Sequence, residues 1–86
     1  MAEDEFATHR EQVEALLRLV DEYLSEMDRD RVREVVEGRS VAKFDDPRGG
    51  EFASRLVERL KEAQRDCPER VHELKALIDE HLRVSF

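Results

Sequence analysis

The sequence has no tryptophan, one cysteine, two prolines and three glycines, and no apolar run longer than three residues. Each shortage excludes something. A single Cys67 cannot close a disulfide within the chain, which fits a reducing compartment. Three apolar residues in a row fall far short of the roughly 20 a membrane-spanning helix needs. The opening MAEDEF is acidic and has no apolar segment, so it reads as neither a signal nor a transit peptide, and a cytoplasmic location is expected. A basic excess is also missing, since the net charge is −7 and the pI is near 5.0. Nucleic-acid and anionic-membrane binding rest on clustered, unpaired Lys and Arg, so neither is expected as a partner here.

What is present is charge and helical periodicity. Charged residues make up 43% of the 86-residue chain and apolar residues 40%. That length fits one domain, residues 1–86, with a core built mainly from Leu, Val and Ala. The negative charge is uneven. Residues 1–30 hold ten acids and three bases, whereas residues 31–86 hold twelve of each. Residues 1–7 read as a frayed lead with Phe6 as its only anchor. Thr8 and Glu11 form a capping box that starts a first helix near His9. Its stripe runs Val13, Leu16, Leu17, Val20, Tyr23, Leu24, Met27, widened by Ala15 and Leu19. After a joint around Ser25–Asp28, Asp28 or Asp30 caps a shorter helix with Val32, Val35 and Val36 inward and Gly38 as its left-handed stop.

Residues 39–50 form an irregular connector between two helical halves. Ser40 is expected to cap a single helical turn through Phe44, and Asp46-Pro47-Arg48-Gly49 to form a β-turn before a third helix at 51–65. Phe52, Leu56, Val57, Leu60 and Ala63 line one face of that helix. Asp66-Cys67-Pro68-Glu69 reads as a second capping box, opening a last helix through Val71, Leu74, Leu77, Ile78, His81 and Leu82 to about Arg83. Val84-Ser85-Phe86 is apolar enough to fold back. The two halves echo each other in Arg18-Leu19-Val20 and Arg55-Leu56-Val57, as similar helical hairpins would. The expected fold is all-α: a bundle of four main helices plus the connector's short turn.

Residues able to carry chemistry are few. Glu69-x-x-His72 has the spacing of a di-iron ligand pair, but no second copy stands beside His9 or His81. His81 on an apolar face reads as a partly buried edge residue, and Cys67 as a buried or capping thiol. No catalytic residue, metal ligand or cofactor site is assigned, and an enzyme is not expected. Arg29, Arg31, Arg33, Arg39, Lys43 and Arg48 are the nearest thing to a basic patch, yet five acids lie among them.

From Gly49 onward, GGEFASRLVERLKEAQ followed by VHELKALIDEHL resembles the small bacterial helical effector-associated domains of the death-like type. In those, an A-x-x-L-V-x-x-L helix follows a Gly-containing loop, and a leucine-rich helix follows a Pro or polar break. The resemblance implies a non-catalytic adaptor that associates with a like domain on an effector it recruits, and it carries over no catalytic residues. The charge pattern leads to the same class: acidic Glu14, Asp21 and Glu22 on the first helix would meet Arg39, Lys43 and Arg48, with Phe44 beside them, on a protein partner or a second copy. The alternative is an obligate homodimer, a small regulatory or antitoxin-like subunit that buries its apolar stripes between chains.

Overall fold

Alanine and glutamate are strong helix formers, and the chain is helical from Ala2 onward. The computed structural model describes residues 2–39 and 44–83, with side chains from Phe6. Its elements are α1 (Ala2–Tyr23), α2 (Glu26–Val36), α3 (Pro47–Asp66), a single 3₁₀ turn (Pro68–Arg70) and α4 (Val71–Arg83). The all-α architecture of four main helices is as expected, and no strand occurs among the described residues. The turn expected from Ser40 and the tail Val84–Phe86 lie outside the described residues.

Four local expectations are corrected. Helix α1 begins at Ala2 rather than near His9, so residues 2–7 are not a frayed lead. Phe6 is 5% exposed and anchors this first stretch, with the Arg70 guanidinium 4.7 Å above its ring. The joint after α1 is two residues long, and its cap is Ser25 rather than Asp28 or Asp30. Ser25 Oγ accepts from Asp28 N at 3.3 Å. Asp46-Pro47-Arg48-Gly49 is the first turn of α3 and not a free β-turn. The bond from Gly49 N to Asp46 O is present at 2.9 Å. It opens a helix because Asp46 caps it and Pro47 sits where its missing N–H costs nothing. Finally, Asp66 does not cap α4: it ends α3, and the following Cys67 makes no side-chain cap.

Gly38 does end α2. It sits at φ 77°, with Gly38 N bonded to Val35 O (3.1 Å) and Arg39 N to Glu34 O (2.9 Å). This paired closure is the Schellman motif, and its left-handed residue strongly favours glycine.

Contacts at both ends of α1 fix the topology. His9 meets Asp66 and Tyr23 meets Arg48, so α1 and α3 run antiparallel. Phe6 meets Arg70 and Asp21 meets His81, so α4 runs beside α1 in the same direction. Helix α2 packs on α3 and α4, with its Arg33 3.9 Å from Asp79. At the centre, Val13, Leu17, Val20, Val32, Leu56, Leu74, Ile78 and Leu82 are all fully buried, each contributing about 1.5–3 kcal/mol. One chain therefore buries its own central stripes.

Candidate interaction surface

The joint between α1 and α2 brings a charged side chain inside. Asp28 lies in the first turn of α2 and is 1% exposed. Its Oδ1 accepts from Asp45 N and its Oδ2 from Asp46 N, both at 2.9 Å. Arg31 Nη1 stands 3.4 Å from Asp28 Oδ1 and 3.1 Å from Asp45 Oδ1. A carboxylate removed from water is tolerable only when its lone pairs are filled in this way. The result is a clasp: the end of the connector is fixed to α2 across 17 residues of sequence.

The clasp also aims the first turn of α3. Asp46, held by Asp28, accepts from Arg48 N at 2.9 Å and pairs with the Arg48 guanidinium at 3.3 Å. The Arg48 backbone N–H, then its side chain, hold the Asp46 carboxyl below the ordinary aspartate value. Arg48 in turn lies over the Tyr23 ring, 4.6 Å from its centroid. Behind it, the half-buried Phe44 ring rests on Gly49 and Gly50 and packs against the core. A methyl group on Gly49 would overlap that ring, so this glycine serves close approach.

Two residues expected on the inner stripe face outward. Tyr23 is 49% exposed and Met27 56%, the large apolar side chains left exposed among the described residues. Tyr23 closes α1 on the edge of its stripe and Met27 lies beyond the two-residue joint, while Leu24, still bonded to Val20 O at 2.9 Å, turns inward. Arg31 reaches Met27 Sδ at 3.4 Å. A chain of contacts thus links Met27, Arg31, Asp45, Asp46, Arg48 and Tyr23 on one end of the bundle.

The other residues expected in recognition are spread more widely. Arg39 is exposed and lies 3.1 Å from Glu37; Lys43 lies outside the described residues. Glu14 pairs with Arg10 at 3.1 Å, and Asp21 with Arg29 at 3.4 Å and with His81 at 2.6 Å. Glu22 is exposed. Phe44, Arg48 and Asp21 therefore share one end, and Glu14 stands two turns away along α1. Among the described bases, Arg29, Arg39 and Arg48 have acidic neighbours within the chain, so a partner meets a mixed-sign surface and not a basic one.

Of the remaining reactive groups, His9 and Cys67 lie inside the fold. His9 is buried, with Nε2 3.3 Å from Asp66 Oδ2. Cys67 is buried, and Glu69 and His72 are both exposed. Among the described residues no three His, Cys, Asp or Glu side chains are grouped to hold a metal ion, and no helix is long and apolar enough to cross a membrane. No protein-family model, curated protein sequence or solved structure matches the chain.

Proposed function

We propose that this chain is a non-catalytic protein-interaction module, an adaptor that docks a helical partner, like or complementary, at the end of the bundle carrying Tyr23, Met27 and Arg48. The observation that supports this reading is the exposed Tyr23–Arg48 stack beside Met27, Tyr23 and Met27 being the large apolar side chains left exposed among the described residues. Tyrosine, methionine and arginine are the residue types enriched where partners bind. Tyr23 offers a broad face held in place by the guanidinium, so little side-chain entropy is lost on docking. The flanking Asp45 and Arg31 supply charges of both signs, which set orientation more than affinity. A like domain carrying the same patch satisfies that pattern, as recruitment of an effector by a shared fold would require.

The reading as an obligate homodimer gains less support, because the central stripes are already covered within one chain. The test is substitution at the patch. Tyr23→Ala combined with Met27→Ala should abolish partner association while the chain keeps its helical circular dichroism and a cooperative melt. The cost in stability is about 1–2 kcal/mol for the lost stack and partial burial. Undiminished association by the double variant would overturn the proposal.

A further inference from the structure

Beside that patch, α1 is more apolar than the rest of the chain can cover. A groove of about 410 Å³ runs between α1 and α3, with Leu16 and Leu19 in its floor, Ala15 and Gln12 on one wall and Arg55 and Arg59 on the other. Ala15 is exposed and Leu19 half-buried, so the widened stripe of α1 is only partly used. Gln12 Oε1 is buried in this setting without a hydrogen-bond partner.

We infer that the groove is filled by α1 of a second copy, in a two-fold, antiparallel arrangement. Charge selects this occupant. The whole −7 of the molecule lies in residues 1–30, and α1 itself carries seven acids against two arginines. The α3 wall offers Arg55 and Arg59 against one acid, Glu58. Their present bonds, to Glu51 and Glu62, are pairs within one helix at the surface that exchange partners at little cost. Two-fold symmetry then satisfies both copies at once: each α1 presents acids to the other's arginines. Leu19 of each copy falls over Ala15 of the other, where a small side chain leaves room. In that register Gln12 lies level with Glu22 of the second copy, whose carboxylate is an acceptor for its amide N–H. Tyr23 lies one turn beyond Leu19 on the same side of α1, so a second copy in this groove and a partner at the Tyr23 end occupy adjoining surface.

Sedimentation equilibrium of the whole chain, from about 10 µM to about 1 mM, reads the association directly. A reversible monomer–dimer equilibrium is expected, weakened about tenfold or more by Leu19→Arg at the centre of the interface. A monomer throughout, or a dimer indifferent to Leu19→Arg in a chain whose helicity is intact, overturns the inference. A second experiment does not depend on Leu19. One variant carries Arg55→Glu and Arg59→Glu, the other Glu11→Arg and Glu22→Arg. Each alone repels its own copy and should be monomeric, whereas the mixture should form a heterodimer because both contacts become attractive. Failure of the mixture to pair would contradict the arrangement. Arg55→Glu with Arg59→Glu leaves Tyr23, Met27 and Arg48 in place, so loss of the dimer with partner docking retained separates this inference from the proposed docking surface.

Discussion

At one end of the bundle the chain turns through Ser25, Asp28 and Asp46, all polar and all hydrogen-bonded. At the other it turns through Cys67, Pro68 and Val71, with no side-chain cap, with Phe6 packed nearby and with a longer polar contact, His9 to Asp66 at 3.3 Å, beside it. The apolar end closes by burial, which is strong but indifferent to exact direction. The polar end closes by hydrogen bonds of fixed geometry around a buried carboxylate. Such a clasp adds little net stability over a well-packed apolar joint, because desolvating Asp28 offsets much of the gain. What it adds is placement: the connector ends at a fixed point, and Arg48 comes to lie over Tyr23. The end that is costlier to build is the one that displays exposed aromatic and thioether groups.

The comparison is broken most severely by Asp28→Ala. Removing the acceptor strands two backbone N–H groups and Arg31, and a loss of about 3–5 kcal/mol is expected. For a chain this small that approaches the whole folding free energy, so chemical denaturation should show a largely unfolded variant. Phe6→Ala tests the apolar end. Its loss should be smaller, about 2–3 kcal/mol, because the first turns of α1 can fray without opening the centre. Hydrogen exchange should then rise in the first turns of α1 and not around Asp28. A Phe6→Ala variant less stable than Asp28→Ala would reverse the ranking of the two ends.

Adjacent glycines sharpen the picture of the polar end. Gly49→Ala drives a methyl into the Phe44 ring and should destabilise by about 1–3 kcal/mol. Gly50→Ala, whose methyl would meet that ring at an ordinary 3.7 Å, should stabilise α3 by about 0.5–1 kcal/mol. Thermal melts of the pair should move in opposite directions. The smallest effect concerns acid. Asp46 has a depressed folded-state pKa, so its capping contribution is fully present above the ordinary aspartate value of 3.8 and is lost as pH falls through the lower folded value. Asp46→Asn should lose that contribution's pH dependence in the same acid range, as denaturation at stepped pH would register.

The helices and their inward faces were readable from 3-4 spacing, and so was Gly38 as the stop of α2. What spacing could not show was contact across sequence distance. Asp28 looked like a helix cap because Asp often is one, and nothing local marks its bond to Asp45 and Asp46. Tyr23 and Met27 continue a regular stripe, yet Tyr23 lies on its edge at the end of α1 and Met27 falls beyond the two-residue joint. Asp66 fitted a capping box, yet its carboxylate meets His9, 57 residues away. The connector's role is revised in the same way. Its cations were the expected recognising groups, but Arg39 and Arg48 have acids beside them, and the exposed apolar groups near Arg48 come from α1 and α2.

The most direct test places a photoreactive phenylalanine derivative at position 23, and separately at position 72 beside the opposite end, in the full chain expressed in its native cells. Irradiation should cross-link one recurring protein from position 23 and not from position 72, and the adduct should disappear when Arg48→Glu removes the stack on the ring. Equal cross-linking from both positions, or none from position 23, would contradict the assignment of the polar end as the docking surface.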